Sequence, residues 1–374
     1  MLGGRWWLDY KMILDSKIRK TRTKAWIYGD GGFAKFLTNF LNEQNIEIIG
    51  IITKNYFKLG DTTGGLELYR NNSYPVYIGV FNHKDNPVEI LDYLEEIKVD
   101  KIFTPAHVCI NFSDTEFTKY YLSTKLNKFH SNYDLTYVIS NLSDDTSKNI
   151  FEGFVSYQKS GNIRKLIRSA KSDIQYLGLT LPSPYKEFWM KGEICWLDIG
   201  SFDGDTLRSI ENSGHNMEND QYVCIEPDIN NFNKLVKSSI NLKSKLKLLN
   251  IAISDKSGII NFAHEGALSS SMQHKNLNSS LLSEVEVKTI DQVCMDLSPT
   301  HIKMDIEGAE MGALTGGAYT LIKHRPKLAI SLYHRHRDIV EIPLYLMKLL
   351  PNYNWFIRCY GAHGYDTILY GIPK

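Results

Sequence analysis

Twice along this chain a short apolar run ends at a glycine-bearing turn and passes straight into helical spacing: KAWIYGDGGF at 24–33 and WLDIGSFDGDT at 196–206. Such a sequence is best satisfied by a strand–loop–helix unit, with the strand buried in a parallel sheet and helices on its faces. After the first turn, Phe33, Phe36, Leu37, Phe40 and Leu41 recur at three/four spacing, and the apolar run Ile46–Ile52 completes a βαβ unit. Further strands are expected at Tyr74–Phe81 and Lys101–Phe103, with a helix over Val88–Ile97 between them. The second pattern starts at Glu193–Ile199 and continues through Gln221–Ile225, Leu246–Ile253, Ile259–Phe262, His301–Asp305 and Leu328–Tyr333. Its last two runs, Asn354–Tyr360 and Thr367–Gly371, are joined across Gly361–Asp366, which predicts an antiparallel hairpin at the sheet edge. The expected fold class is therefore α/β, with two Rossmann-like doubly wound sheets.

At 374 residues the chain exceeds one ordinary core. We divide it into an N-terminal Rossmann-like domain (1–111), a helical connector (112–190) and a second α/β domain (191–374). Strand signals fade in the connector, Phe151–Leu177 has apolar residues at helical spacing, and Pro182 and Pro184 punctuate its end. A net charge of +1 gives no global attraction to nucleic acid or an anionic membrane, and the Lys17–Lys24 run reads as a solvated face. No run approaches the roughly 18–20 apolar residues of a membrane span. Arg5, Asp9 and Lys11 interrupt the start, which lacks a signal-peptide pattern. The five cysteines have no CxxC or zinc spacing, so a reduced, cytoplasmic protein is expected.

The loop after the second apolar run, Asp198-Ile199-Gly200-Ser201-Phe202-Asp203-Gly204-Asp205, lies where an open α/β sheet binds its ligand. A dinucleotide site wants GxGxxG, which lets a pyrophosphate rest on amide groups at the helix N-terminus. Here GxxxG is accompanied by Asp198, Asp203 and Asp205, which repel phosphate and suit a ligand carrying ammonium and sulfonium charge. Glu226, 22 residues past Gly204 at the end of the next strand, is placed to accept hydrogen bonds from ribose hydroxyls.

In order, LDIGSFDGDT at 197–206, CIEPD at 224–228, NIAISD at 250–255, the Ser269–Ser271 patch, VKTID at 287–291, HIKMDIEGAE at 301–310 and PKLAISLYH at 326–334 resemble the FkbM family of methyltransferases. The segment SNLSDDTSKNIFEGF at 140–154 is similar to what precedes the core in some long members. The resemblance implies a class I methyltransferase fold using S-adenosylmethionine for O-methylation of sugars, polyketides or related metabolites. It implies that Asp198, Gly200 and Gly204, with Phe202 beside them, line the methionine part. Glu226 would hold the ribose, Ala252 and Ile253 would lie near the adenine, and Asp305 would close the fourth strand.

The motifs name no base. The first, fourth and fifth strands of such a sheet are neighbours, so Asp198, Asp305 and His334 should converge at their carboxyl ends. His334 is our candidate to take or orient the acceptor's proton, with Asp305 beside it and Lys303 as a second candidate to stabilise alkoxide charge. Glu310 reads as an acid favouring a helix N-terminus. A metal on Asp305, Glu307 and His334 is not required by the spacing, and none is expected.

In the first half, Gly29-Asp30-Gly31-Gly32-Phe33-Ala34 satisfies GxGxxA, but Thr53 and Lys54 stand where an acid would hold the ribose of NAD. This half resembles the Rossmann-type domain of sugar-modifying proteins in polysaccharide gene clusters. A scaffold for substrate presentation or dimerisation is favoured over a retained nucleotide-sugar site. The expected function is O-methylation of a sugar hydroxyl, on a sugar, nucleotide-sugar or glycan acceptor, in surface polysaccharide or glycolipid assembly. The alternatives are an NAD(P)-dependent sugar oxidoreductase and a non-enzymatic nucleotide-sugar-binding scaffold.

Overall fold

The computed structural model describes residues 23–82, 86–112, 131–166, 175–240, 242, 244–263 and 282–374. The Ser269–Ser271 patch and most of the Lys17–Lys24 run lie outside the described residues. The chain packs into two compact units. One gathers the described residues up to 112 with Val155–Leu166, and the other those of Asn127–Phe154 with Ile167–Lys374.

In the first unit, β1 (Thr23–Tyr28), β2 (Ile46–Ile52), β3 (Phe57–Leu59), β4 (Thr62–Gly64), β5 (Val76–Ile78) and β6 (Ile102–Phe103) form a sheet of order β4-β3-β2-β1-β5-β6. The β1, β2, β5 and β6 pairings are parallel, as a buried βαβ arrangement requires. The helix Gly32–Glu43 turns Ala34, Leu37 and Leu41 inward, the stripe its spacing predicts. The expected Tyr74–Phe81 strand contracts to Val76–Ile78, and the β3–β4 hairpin adds two strands too short for periodicity to reveal.

The second unit holds a seven-stranded sheet built on β7 (Cys195–Ile199), β8 (Gln221–Ile225), β9 (Lys245–Leu249), β13 (His301–Met304), β14 (Lys327–Ser331), β15 (Tyr353–Cys359) and β16 (Thr367–Pro373), in the order β15-β16-β14-β13-β7-β8-β9. From β9 to β14 neighbours are parallel, while β16 runs antiparallel between β14 and β15. The two Rossmann-like sheets and the closing hairpin match the expected class. Leu246–Ile253, expected as one strand, breaks after Leu249. Its last part is β10 (Ala252–Ile253), which joins β11 (Gly258–Ala263) and β12 (Leu282–Lys288) in a separate sheet of order β10-β12-β11. Asn250 marks the break: its Nδ2 donates to the carbonyls of Glu226 and Pro227.

The core of this unit gathers Trp196, Leu207, Tyr222, Cys224, Phe356 and Tyr370 with Tyr176, Leu177, Leu181 and Trp189. The last four precede the boundary expected at 191, and the segment expected as a 112–190 connector is shared between the two units. The physical reason is a run of long-range ties. Tyr370 Oη, which shares a hydrogen bond with Tyr360 Oη at 2.7 Å, accepts from the Tyr176 amide at 3.0 Å, and Arg358 pairs with Asp144 at 2.6 Å.

Candidate active site

Register builds the site. Asp198 lies directly between Lys303 on β13 and Cys224 on β8, and Ile199 is level with Met304 and Ile225. The loops leaving β7, β8 and β13 therefore emerge at one sheet edge. Gly200 (φ +81) turns the first loop, and a Cβ there would run into the carbonyl oxygen of Asp305 on the neighbouring loop. At Gly204 (φ +87) a Cβ would stand 2.7 Å from Ser238 Oγ, so glycine lets the following helix, Asp205–Asn212, press against Ile229–Ser238.

Asp198 is fully buried. Lys303 Nζ lies 3.1 Å from its Oδ1 and also donates to the Gly200 carbonyl. Neither Asp198 oxygen receives a well-directed hydrogen bond. Burial pushes this carboxyl up to about 6, against the opposing charge of Lys303. Burial alone would lower the Lys303 ammonium, yet Asp198 and Asp305 hold it above its ordinary value. Lys303, expected near the acceptor, is thus enclosed beneath the loop.

Glu226 folds back beneath the same loop. Its Oε2 accepts from the Phe202 amide at 2.9 Å and its Oε1 from that of Asp228 at 3.0 Å. Burial raises it to about 7, opposed by those two amides. Phe202 is left-handed (φ 48), with its ring 5.6 Å from Lys234 Nζ. Asp203 is paired with Arg208 at 2.6 Å. Ala252 and Ile253 are buried in β10.

Asp305 and His334 do come together. His334 Nε2 stands 3.1 Å from Asp305 Oδ1, and its Nδ1 bonds Glu310 Oε1 at 2.7 Å. Asp305 also accepts from Tyr176 Oη (2.9 Å) and Tyr333 Oη (3.2 Å). Burial works to raise Asp305, but the close approach of the His334 imidazole holds it well below the carboxylate range. Burial works against the imidazolium too, and Glu310 and Asp305 override it, keeping His334 well above its ordinary value.

Sequence reasoning missed Tyr333, Glu310 and Tyr176 as partners. Glu310, expected to serve a helix dipole, is fully buried and grips both the Ile306 amide and His334. Tyr176 comes from the segment before β7, with a left-handed backbone (φ 66). Its only sequence signal was an apolar spacing that said nothing about where its hydroxyl would go.

Residues 198–357, from the Asp198 loop to the hairpin, match the family described as Methyltransferase FkbM domain. This segment is an FkbM methyltransferase domain. The chain therefore carries a methyltransferase domain, of a class that needs an acceptor. Its fold is similar to that of a crystal structure of methyltransferase FkbM from Methylobacillus flagellatus KT, at 20% identity and a TM-score of 0.73, covering 97% of this chain and 92% of that one. The likeness in fold therefore extends beyond the FkbM domain into the first unit. A search of curated proteins returns no significant match. Among the described residues, no helix is long and apolar enough to cross a membrane.

Proposed function

We propose that the FkbM domain transfers a methyl group from S-adenosylmethionine to a sugar hydroxyl, in assembly of a surface polysaccharide or glycolipid. The observation that carries the cofactor is Asp198: a buried carboxylate at the end of β7 beneath a glycine loop, with Lys303 Nζ 3.1 Å from its Oδ1 and no partner on its Oδ2. A carboxylate with one oxygen left over at this place suits a cationic ligand and repels a phosphate. In this reading Asp198 draws the ligand's positive end and Gly200 admits it close to the backbone. Glu226 has acceptor capacity left for ribose hydroxyls, Phe202 stands beside the methionine part, and Ala252 and Ile253 lie near the adenine. Bound there, the cofactor supplies a methyl carbon already activated by its sulfonium.

The protein's own part is alignment and handling of the acceptor hydroxyl. Asp305 and His334, at the carboxyl ends of β13 and β14, are the groups we assign to that hydroxyl. Lys303 acts through Asp198 and Gly200 as a positioning residue. In the first unit, Thr53 Oγ1 accepts from the Asn55 and Tyr56 amides in a turn after β2. That use of Thr53, where an acid would hold ribose, supports a scaffold role for this unit over an NAD(P) oxidoreductase. Cytoplasmic location and any homodimer belong to the same proposal.

The test is to incubate the protein with S-adenosylmethionine and a panel of sugars and nucleotide-sugars, following mass gain by one methylene. Calorimetry should show cofactor binding, weakened at least about tenfold in Glu226→Ala, which loses charge-assisted bonds worth roughly 1.5–3 kcal/mol each. Unchanged affinity in that variant would sink the cofactor assignment.

A further inference from the structure

Three carboxylates surround the single imidazole of His334: Asp305, Glu307 and Glu310. The side chain is 6% exposed, and Glu310 is wholly buried. Glu310 takes the hydrogen on Nδ1, which leaves Nε2 facing Asp305 Oδ1 at 3.1 Å and Glu307 Oε2 at 3.8 Å. Nε2 nevertheless makes no directed hydrogen bond to either, and Glu310 Oε2 is likewise buried with no partner. An Nε2–H serving these acids would point along one of those lines. An Nε2 lone pair aimed between two carboxylates would instead be repelled, unless a cation lies there.

The spacing suits one. Two ligand atoms, each about 2.1 Å from the same ion, stand about 3.0–3.4 Å apart at ordinary coordination angles. Nε2 and Oδ1 meet that condition, and Glu307 Oε2, 3.8 Å from Nε2, is near enough to reach the same ion at a wider angle. The surroundings have the form of a metal centre's outer layer. A buried carboxylate fixes the far ring nitrogen, and Tyr176 and Tyr333 donate to Asp305. Glu307 is brought to the rim by a left-handed backbone (φ 54) followed by Gly308 (φ 95), a strained bend of the kind that persists where a side chain must be aimed.

We propose that His334 Nε2, Asp305 and Glu307 hold one divalent cation, with Glu310 anchoring the imidazole from behind. One nitrogen and two or more carboxylate oxygens favour an ion of intermediate hardness such as manganese or zinc. The inference rests on the reading above only in placing the acceptor hydroxyl here. Its consequence is that His334 acts as a neutral ligand and the ion polarises the acceptor oxygen.

The test needs neither acceptor nor methyl donor. Full-length protein stripped with EDTA is titrated with MnCl₂, and separately with ZnCl₂, by calorimetry. One ion per chain is expected. The manganese complex should show nitrogen modulation in pulsed electron paramagnetic resonance, and His334→Gln should abolish it. Glu307→Gln should weaken binding at least about tenfold, and Glu310→Gln about 10–100-fold, with circular dichroism checking that each variant is folded. Glu226→Ala should bind manganese as wild type does, although it holds S-adenosylmethionine more weakly. No binding, or binding equal in wild type, His334→Gln and Glu307→Gln, overturns the site while leaving the cofactor assignment untouched. Loss of cofactor binding with the manganese signal intact does the reverse.

Discussion

Burial raises the Glu226 carboxyl to about 7, so between the ordinary glutamate range and neutrality the folded chain keeps a proton that the unfolded chain has released. Stability of the ligand-free protein must therefore fall as pH rises through that window, by at most roughly 3 kcal/mol from this group. Glu226→Gln should unfold at a higher temperature than wild type at pH 8, with the gap closing toward pH 5. Parallel melting curves across that range would refute the shift. At His334, removing the imidazole should lower single-turnover methyl transfer by about 10²–10⁴-fold while cofactor affinity stays nearly unchanged. A wild-type rate in His334→Ala would move the acceptor chemistry elsewhere. Asp198, Gly200 and Glu226 were legible in the sequence because each lies at or just past the end of a strand within one βαβα stretch, where topology dictates their position. Tyr176 was not, since its hydroxyl meets Asp305 across 129 residues of chain. Glu310 was half legible: its place at a helix start was plain, but its burial depends on the distant His334.

At the scale of elements, the strand runs that form the main sheet were readable because buried parallel strands are continuously apolar. The errors came where one apolar run serves two sheets, as at Leu249 and Ala252, and where strands of three residues are too short to carry a period. The loop after β7 is the element on which the site depends. Gly200→Ala forces a side chain into left-handed backbone and against the Asp305 carbonyl, which is itself part of the facing loop. We expect a lower melting temperature together with lost S-adenosylmethionine binding. A variant that melts lower but binds as well as wild type would show that the loop's conformation is not what admits the ligand.

At the scale of the molecule, the second unit is stitched to residues well upstream of its first strand. Ser143 and Ser147 accept from the Trp355 and Ile357 amides, and Arg358 holds Asp144. A fragment beginning at about residue 185 loses these ties as well as Tyr176, Leu177 and Leu181 from the core. It should lack a cooperative thermal transition by circular dichroism, and a sharp one near the wild-type temperature would argue that the upstream segment is dispensable. The position of β16 carries a further consequence. Thr367–Pro373 is buried between β14 and β15, late in sequence but interior in space. During synthesis, therefore, everything from β7 to β15 can emerge from the ribosome and still lack the strand that joins the hairpin to the sheet. Until those seven residues emerge, β14 has an open, apolar edge and β15 lacks its neighbouring strand, keeping only its ties to Leu142, Ser143 and Ser147, which is the interval in which a nascent chain is most exposed to misassembly.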